Sequence, residues 1–442
     1  MTLAWHGAMT DEIKVVDLFS GIGAVPAALK RAGIPHKMIA CCEIDRYAYA
    51  SYRAIHGDIP NLGDITKVGR LPDDIDLLTY SFPCQDLSLA GKRRGMAKDS
   101  GTRSGLLWEV ERLLLEARSR NQLPKVLQME NVDAITNTKN KRQFEVWIRS
   151  LSEMGYTSSW KILNAKDFNI PQNRARCFMI SCLDGTHFEF PEPVPKIKKL
   201  VDCLETEVDE KYYLSAERMS KLVVNKEKPR KKEHEDNLVL IGNLKEEGRH
   251  ESASRVYDSN GLCPTINTCS GGGLEPKIAV YPCITPDRVN KRQNGPRFRK
   301  DGDDMFAITC QDRHGVAICN NTSKGYTEAF DGDGVVLDQP DSTTKRGRVQ
   351  DGISPTIMTS GQVGTIDGMR IRRLTPRECW RVMDFTDEDY DSAKTARVNN
   401  KPMSETQLYK QAGNSICVGV LVAIFKEMYL EKQVKHPSLE TF

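Results

Sequence analysis

The stretch EIKVVDLFSGIGAVPAALKRAG (12–33) decides the fold. Its first part, EIKVVDLFS (12–20), is a short apolar run that ends in Asp and Ser, which is typical of a buried strand. A glycine turn, a helix and a final glycine follow in GIGAVPAALKRAG (21–33). A strand that leads through a glycine turn into a helix indicates the opening unit of an α/β sheet.

The same unit recurs further along the chain. KMIACCEID (37–45) predicts a second strand and RYAYASYRAIHG (46–57) the helix after it. RSGLLWEVERLLLEAR (103–118) has the apolar spacing of an amphipathic helix. Further elements are predicted at DIDLLTYSFP (74–83), KVLQMENV (125–132), FEVWIRSLSEMG (144–155), YTSSWKILNA (156–165) and RCFMISCL (176–183). We expect a doubly wound, mostly parallel sheet with helices on both faces.

The alternation stops after about residue 190. From there to about residue 370 the chain is rich in Gly, Asp and Thr and has only short β-like runs, which predicts a separate, smaller β-rich region. Three stretches in it form a loose repeat: RVYDSNGLCPTINTCSGG (255–272), RFRKDGDDMFAITCQDRHG (297–315) and RVQDGISPTIMTSGQVG (348–364). They are either plain strand-and-loop units or loops that reach a polar ligand such as DNA.

Helical character returns in IRRLTPRECWRVMDF (371–385). QLYKQAGNSICVGVLVAIFKEMYLEKQ (407–433) then predicts a polar glycine turn and a long helix with an apolar face, suited to packing on the first sheet. We therefore predict one domain in two parts, 12–185 and 371–433, with a second domain inserted at 186–370.

The composition of the 442 residues is that of a soluble globular protein, with 39% hydrophobic and 28% charged residues. No stretch approaches the ~20 apolar residues of a membrane span. The opening residues MTLAWHGAMTDEIK (1–14) lack a basic head followed by an apolar core, so we expect no signal peptide. These features predict an intracellular, cytoplasmic protein that does not contact a membrane.

The cysteines argue against disulfides and metal sites. There are 13, an odd number, and no pair has C-x-x-C spacing. We expect reduced and mostly buried thiols and no metal, with Cys84 as the exception.

The net charge is only +3, but basic residues cluster in KNKR (139–142), KIKK (196–199) and KEKPRKK (226–232). Such clusters are either solvated surface or a face for nucleic acid, and charge alone leaves both open. Phosphate contacts through them would make the affinity for nucleic acid depend on salt.

Polar groups follow three successive strand ends. FSGIG (19–23) is a glycine turn at a helix N-terminus, where backbone N–H groups can face a ligand. Glu43 follows about twenty residues later, at the distance of a carboxylate that accepts both ribose hydroxyls. Asp64 could accept an exocyclic amine. Together they predict an adenosine pocket, although each carboxylate alone could be a helix cap.

A cysteine that we expect to be exposed follows the third predicted strand. Cys84 comes after Pro83, at the sheet edge where α/β folds bind ligands, and its thiolate is a strong nucleophile. Glu130 ends another strand, and a carboxyl group in apolar surroundings can hold a proton and donate it. Arg174 and Arg176 are two residues apart, on one side of a strand. They either face a planar polar heterocycle or form surface salt bridges.

Taken together, eight stretches resemble the ordered motif set of the C5-cytosine DNA methyltransferases, in the unpermuted order of bacterial and phage restriction–modification enzymes. They are DLFSGIG, CEIDRYA, GDIT, SFPCQDLSLAGKRRG, MENV, QNRARCFMI, RRLTPRECWRVMDF and QAGNSI. The resemblance implies a Rossmann-like S-adenosylmethionine-dependent methyltransferase sheet. It also places 184–369 where the family has its target-recognition domain.

By this resemblance, Cys84 attacks C6 of a cytosine and Glu130 protonates or hydrogen-bonds N3. Arg174 and Arg176 hold the O2 side and the geometry of the site, and the Phe82 carbonyl contacts the N4 amine. C5 takes the methyl group of S-adenosylmethionine, and loss of the C5 proton expels the thiol. The resemblance assigns the cofactor site to Phe19, Gly21, Gly23, Glu43, Ile44, Asp64, Ile65, Pro83, Asn414 and Ser415.

The implied substrate is a short, specific site in double-stranded DNA. A base inside a duplex must be flipped out to be reached, at a cost of a few kcal/mol. We interpret the glycine-containing stretch 85–102 as a loop that closes over the flipped base. We also expect the enzyme to be a monomer and to associate with the nucleoid. Any cognate endonuclease would be a separate protein.

Three other functions remain open at the level of sequence. A tRNA cytosine-C5 methyltransferase would share the motifs, but is usually shorter between QNRAR and QAGNSI. A catalytically silent DNA-binding relative would have no need of Cys84, Glu130 and the two arginines. A nucleotide-dependent dehydrogenase explains residues 13–45 and leaves those four residues unused.

Overall fold

The computed structural model describes residues 12–83, 103–138, 140–195, 197–213, 222–224, 238, 240–244, 254–258, 262–266, 276–280, 316–319, 326–329, 334–336, 349–350, 363–365 and 370–430. The chain divides into two compact units. Unit 1 comprises Met1–Lys198, Pro264–Gly271 and Cys379–Phe442, and unit 2 comprises Lys199–Cys263 and Gly272–Glu378. The functional domain boundaries at 185 and 370 stay a prediction.

Unit 1 is built on one six-stranded sheet with the order β2-β1-β3-β4-β6-β5. The strands are β1 (Ile13–Leu18), β2 (His36–Cys42), β3 (Leu77–Tyr80), β4 (Val126–Val132), β5 (Thr157–Asn164) and β6 (Ala175–Cys182). The first four are parallel, and β6 is antiparallel to both of its neighbours. The sheet is therefore mixed, because the stretch 165–174 is too short for the crossover that a parallel partner of β5 requires.

Most helices of the α/β fold form where the sequence predicts them, whereas Asp387–Thr395 and Glu405–Asn414 were not predicted as helices. They are α1 (Ala24–Ala32), α2 (Arg46–His56), α3 (Leu107–Ser119), α4 (Lys141–Glu153), α5 (Pro376–Val382), α6 (Asp387–Thr395), α7 (Glu405–Asn414) and α8 (Val418–Tyr429). The polar glycine turn predicted at the start of 407–433 is instead the helix α7, and the long apolar helix predicted after it is α8. Ser415 separates them, because its backbone is extended (φ −80°, ψ 165°).

The main core of unit 1 lies on one face of the sheet. Alternate residues of β1, among them Val16 and Leu18, face the buried side chains of α3 and α4. Trp147 packs edge-on against both Tyr80 and Trp108, and its Nε1 donates to the Tyr80 hydroxyl at 3.1 Å. Each of these aromatic rings removes a large apolar area from water, so this face anchors the sheet.

Helix α8 packs closely against α1. A Cβ added to Gly419 on α8 would lie 3.2 Å from Arg31 Nη2 on α1 and 2.6 Å from Asp384 Oδ2, so little space is left for a side chain there. Arg31 of α1 donates to the Asp384 carbonyl at 2.9 Å and pairs with its carboxylate. The C-terminal helices therefore belong to the same compact unit as the first strands.

The run Glu405–Tyr429 is long and apolar enough to cross a membrane, which differs from our expectation that no stretch would be. It includes α7 and α8, which the extended Ser415 separates. Buried residues make up 61% of its apolar window, as in the core helices of globular proteins.

Unit 2 is rich in short strands, as predicted. Its largest sheet has the order β16-β10-β9-β8-β7. The strands of the unit are β7 (Leu222–Val224), β8 (Leu240–Leu244), β9 (Arg255–Asp258), β10 (Lys277–Val280), β11 (Val316–Cys319), β12 (Tyr326–Ala329), β13 (Gly334–Val336), β14 (Val349–Gln350), β15 (Val363–Thr365) and β16 (Arg370–Arg373). The hairpin of β17 (Arg397–Val398) and β18 (Lys401–Pro402) belongs to unit 1.

The three-unit repeat remains a prediction. Its first stretch contains β9, and its third contains β14 and the first two residues of β15. The second stretch, 297–315, and the basic cluster 226–232 lie outside the described residues.

Candidate active site and cofactor pocket

The glycine turn after β1 needs its glycines. The backbone is left-handed at Phe19 (φ 59°), Gly21 (φ 56°) and Gly23 (φ 85°). A Cβ on Gly23 would also lie 2.5 Å from Cδ2 of His56, whose Nε2 lies 3.1 Å from the Ile22 carbonyl. Burial lowers the pKa of His56 to about 4, so the ring is neutral and donates to that carbonyl. The imidazole thus packs against Gly23 and hydrogen-bonds the backbone of the turn.

Glu43 is fixed by the backbone at the end of β2. Its Oε2 accepts the Gly21 N–H at 2.8 Å, and its Oε1 accepts the Asp45 N–H at 2.7 Å. Asn61 Oδ1 accepts the Glu43 N–H, and Asn61 Nδ2 donates to the Glu43 carbonyl, both at 2.9 Å. Burial raises the pKa of Glu43, while the two N–H groups act to lower it. The carboxylate cannot swing away from the turn without losing these bonds.

Ile44 is 74% exposed beside this fixed carboxylate. Phe19, on the turn, is half-buried and packs against the core. An exposed isoleucine next to an immobilised acid provides an apolar surface for a flat ligand whose polar edge meets Glu43.

Asp64 caps the short helix Ile65–Lys67. Its Oδ1 accepts from the Thr66 hydroxyl at 2.8 Å and from the Thr66 N–H at 3.1 Å, and these bonds lower the pKa of Asp64. The side chain of Ile65 is 4% exposed and lies in the core. Any contact of Ile65 with a ligand would come from its N–H, which has no partner within a helix that starts there.

Lys410, in the segment after β18, forms an ion pair with Asp45 beside Glu43. Lys410 Nζ on α7 donates to Asp45 Oδ2 at 2.6 Å, and Asp45 in turn donates its N–H to Glu43. Burial opposes ionisation of Asp45, but the hydrogen bond and charge of Lys410 hold its pKa below the ordinary value. Neither residue was among the predicted site residues, although CEID and KQAGNS contain them. Asn414 is exposed and Ser415 is buried at the end of α7.

Cys84 itself lies outside the described residues, as does the predicted loop 85–102. The chain is described up to Pro83. The preceding Phe82 is buried, and its carbonyl accepts from Asn131 Nδ2 at 2.9 Å. Asn131 on β4 therefore anchors the segment that leads into Cys84, a role that our sequence analysis did not assign to it.

Glu130 and Arg176 face each other on neighbouring strands. Glu130 is in register with Phe178 on β6, two residues from Arg176. Arg176 Nε lies 3.2 Å from Glu130 Oε1, and both side chains are largely buried. This pair places a carboxyl group and a guanidinium together, next to the strand end that carries Phe82.

Arg174 has a different environment from Arg176. Its guanidinium donates to the carbonyls of Ile266 at 3.0 Å and Ser415 at 2.8 Å, and to Gly413 at 3.1 Å. It lies just before β6, where Asn164 Oδ1 accepts its N–H at 3.0 Å. The structure thus separates the two arginines that the sequence analysis treated as one pair. Arg174 holds the turn after α7, and Arg176 faces Glu130.

The described residues contain no group of three or more His, Cys, Asp or Glu side chains that could hold a metal ion. A shallow cleft lies beside the two arginines, lined by Leu163, Ala165, Arg174, Arg176, Phe178, Ile416, Cys417 and Val420. Burial raises the pKa of the Cys417 thiol to about 11, so this cysteine is unsuited to act as a nucleophile.

Comparisons with known proteins identify a family that this chain resembles over most of its length. The family model described as C-5 cytosine-specific DNA methylase matches residues 13–430. The orphan methyltransferase M.SPBetaI of Bacillus phage SPbeta is 32% identical, with 96% of this chain and 99% of that protein covered. The type II methyltransferase M2.ScrFI of Lactococcus lactis subsp. cremoris is 28% identical, with 94% and 99% covered.

Solved structures show the same fold. The crystal structure of S. pombe Dnmt2 methyltransferase matches with a TM-score of 0.53 at 17% identity, covering 96% of this chain and 99% of that one. The Entamoeba histolytica methyltransferase EhMeth matches with a TM-score of 0.55 at 15% identity, covering 96% and 100%.

Proposed function

This chain belongs to the C-5 cytosine-specific DNA methylase family, and from that premise we propose how its residues divide the work of DNA (cytosine-5-)-methyl transfer. The enzyme uses S-adenosylmethionine and acts on DNA. The proposal rests on two groups of residues that lie at neighbouring strand ends in unit 1. We call Phe19–Gly23, Glu43, Ile44 and Asp64 the cofactor end, and Phe82, Glu130 and Arg176 the base end.

The cofactor end fits the adenosine part of S-adenosylmethionine. Glu43, fixed by two N–H groups, has lone pairs left to accept the two ribose hydroxyls. The exposed Ile44 suits the adenine face, and Asp64 beside the Ile65 N–H offers an acceptor and a donor to its edge. Pro83, Asn414 and Ser415 complete the site in the proposal. When bound, the cofactor supplies an electrophilic methyl group.

The base end prepares the cytosine ring. Cys84 Sγ, as thiolate, forms a bond to C6, and the displaced electron pair moves into the ring as Glu130 protonates or hydrogen-bonds N3. C5 thereby becomes nucleophilic enough to accept a methyl group. Loss of the C5 proton then returns the electron pair and breaks the bond between Sγ and C6. Covalent addition is needed because an unmodified C5 is too electron-poor to react.

Arg176 and Arg174 act at different distances from the ring. Arg176 faces Glu130 and is placed to hold the O2 side of the base. Arg174 fixes the site's geometry by binding the carbonyls on either side of Asn414. The Phe82 carbonyl accepts one bond from Asn131, and its second lone pair is left for the N4 amine.

The target in this proposal is a flipped cytosine in a short duplex site. Unit 2 supplies the sequence recognition in this proposal, because its short strands present many loops. Arg255→Ala on β9 should change sequence preference or DNA affinity and leave the dissociation constant of S-adenosylmethionine unchanged. A change in cofactor affinity alone would contradict this placement.

We further propose that the enzyme acts as a monomer in the cytoplasm of a bacterial or phage-infected cell, associated with the nucleoid. Any cognate endonuclease would act as a separate protein. Sedimentation of the purified protein with and without a duplex tests the monomer directly.

The decisive experiment offers the protein duplex DNA containing 5-fluorocytosine, together with S-adenosylmethionine. We expect a covalent complex that survives denaturation and is absent with Cys84→Ser. Methyl incorporation into duplex DNA and tRNA, measured in parallel, separates the two substrates. Tight DNA binding without adduct or methyl incorporation would instead identify a silent DNA-binding relative.

A further inference from the structure

A row of buried polar side chains crosses the sheet of unit 1 below the two strand ends. Asp17 on β1 is in register with Thr79 on β3, and Thr79 is in register with Gln128 on β4. Side chains in register on neighbouring strands point to the same face of a sheet. Val16 and Leu18 point to the other face, into the apolar core. We call Asp17, Thr79 and Gln128 the polar row.

The polar row has more hydrogen-bonding atoms than its surroundings satisfy. The Thr79 hydroxyl donates to Asp17 Oδ1 at 2.6 Å. Among the described residues, Asp17 Oδ2 and both side-chain polar atoms of Gln128 have no hydrogen-bond partner, although Asp17 is only 4% exposed and Gln128 1%. Buried polar atoms are almost always paired, with protein or with ordered water.

Two hydroxyl groups at the cofactor end share this condition. The Tyr52 hydroxyl on α2 and Ser20 Oγ in the glycine turn also lack a hydrogen-bond acceptor within the described part of the chain, at 0% and 8% exposure, and Ser20 has only the Cys41 thiol, a weak partner, beside it. Tyr52 lies beneath the turn, since a Cβ on Gly23 would be 3.0 Å from its ring, and its hydroxyl is within electrostatic reach of Asp17. Two hydroxyl groups and a carboxyl oxygen therefore lie below the turn.

We propose that the polar row is a binding site for ordered water, with water held below the glycine turn by Asp17, Ser20 and Tyr52, and further water at Gln128. Water fits because it needs two to four polar partners and both donates and accepts. An apolar occupant would leave these atoms unsatisfied. A cation is a poorer occupant, because Asp17 is the only carboxylate in the row.

Water bound at this place would restrict the movement of the glycine turn. The Ser20 N–H donates to the Cys42 carbonyl at 3.2 Å, and the Ser20 carbonyl accepts from the Gly23 N–H at 2.9 Å. A water on Ser20 Oγ adds a third attachment to the turn whose Gly21 N–H holds Glu43. Ser20 and Tyr52 are then positioning residues for the cofactor. This consequence rests on the proposed cofactor site, whereas the water site itself does not.

The sign of a stability change tests the water site in the ligand-free protein. If Tyr52 binds water, Tyr52→Phe removes a hydrogen bond and lowers the melting temperature by about 2–4 °C. If the hydroxyl is unsatisfied, its removal leaves the melting temperature unchanged or raises it. Gln128→Met makes the same test at the other end of the row. Unchanged or raised values for both variants would overturn the proposal.

Tyr156→Phe is the matched control. The Tyr156 hydroxyl donates to the Pro124 carbonyl at 2.7 Å, so its removal costs one hydrogen bond whatever the polar row contains. A crystal structure at atomic resolution should show water oxygens within hydrogen-bond distance of at least two of the named atoms. A direct side-chain partner in their place would contradict the site.

Cofactor affinity tests the consequence separately. We expect Tyr52→Phe and Ser20→Ala each to raise the dissociation constant of S-adenosylmethionine about fivefold, and Tyr156→Phe to leave it unchanged. If the melting temperatures fall and the dissociation constant does not move, water binds but does not position the turn. If no variant or wild-type protein binds S-adenosylmethionine, the proposed cofactor site fails and the water site still stands.

Discussion

The cofactor end and the base end hold their carboxylates by different means. Two backbone N–H groups fix Glu43, at 2.8 and 2.7 Å. Glu130 instead faces a side chain, with Arg176 Nε at 3.2 Å. Backbone donors are set by the fold, whereas an arginine can reorient when a substrate arrives. The difference indicates a preformed cofactor end and a base end that its substrate completes, and variants of one end should leave the other intact.

The largest effect is expected at the base end, from Cys84→Ser. A serine hydroxyl is too weakly acidic to add at C6 without a dedicated base, so methyl transfer should fall by on the order of 10⁴-fold or more. Filter binding of labelled S-adenosylmethionine should show an unchanged dissociation constant. Cys182→Ser, at the far end of β6, is the control and should retain transfer. Substantial turnover by Cys84→Ser would refute the covalent route.

Glu130→Gln should reduce transfer by about 10²–10⁴-fold, because an amide cannot supply the proton to N3. Cofactor affinity should again be unchanged if the two ends are independent. Glu111→Gln is a suitable control, since Glu111 is also buried but accepts from Ser150 at 2.8 Å, away from the site. A weaker affinity for cofactor in Glu130→Gln alone would show that the ends are coupled.

At the cofactor end, Glu43→Gln should raise the dissociation constant of S-adenosylmethionine by about 10–100-fold. The amide nitrogen would face an N–H group where the carboxylate accepts one, and charged hydrogen bonds to the ligand would be lost. At saturating cofactor, the adduct with 5-fluorocytosine DNA should still form. Loss of the adduct under those conditions would show that Glu43 also serves the base end.

Lys410→Met should have a smaller effect at the same end, about two- to fivefold on the cofactor dissociation constant. The Lys410–Asp45 pair is partly exposed, so its own contribution is modest, and it acts on Glu43 only through the Asp45 N–H. A double-mutant cycle with Glu43→Gln should therefore be non-additive. Additive effects would separate Lys410 from the carboxylate.

The smallest effect is on the pH dependence of stability. Burial, opposed by the Thr79 bond and aided by the charge of Glu43, raises the pKa of Asp17 to about 7 from an ordinary value of 3.8. The folded state therefore holds a proton that the unfolded state has lost, so this contribution to stability declines as pH rises between those values. Tyr52 and Cys41 also face the group.

Asp17→Asn should flatten that slope between pH 5 and 7 in denaturant titrations. Asp76→Asn, at the opposite strand end near Lys125, serves as the comparison. An unchanged slope in Asp17→Asn would mean that Asp17 is ionised in the folded protein at all these pH values.

The residues of a single strand end could be predicted from the sequence. Gly21 and Gly23 indicate a turn with left-handed backbone, and Glu43 follows at the end of the next strand. Short motifs therefore predict both the backbone of the turn and the carboxylate beside it. The same holds for Glu130 on β4. In such places local propensity, apolar pattern and strand direction all favour one arrangement.

Contacts between distant segments could not be predicted. Lys410 and Asp45 are 365 residues apart, and neither has a periodic pattern that indicates its partner. The separation of Arg174 from Arg176 depends on the carbonyls of Ile266 and Ser415, which the chain brings together only when folded. The strands of unit 2 have two to five residues, too few for alternation to define them.

The long separation of Lys410 from Asp45 has a consequence for synthesis on the ribosome. At about 5–20 residues per second, roughly 20 to 70 seconds pass between the two residues. During that interval Glu43 and its turn exist without the segment that braces them. The complete pocket can therefore form only after synthesis has passed residue 410.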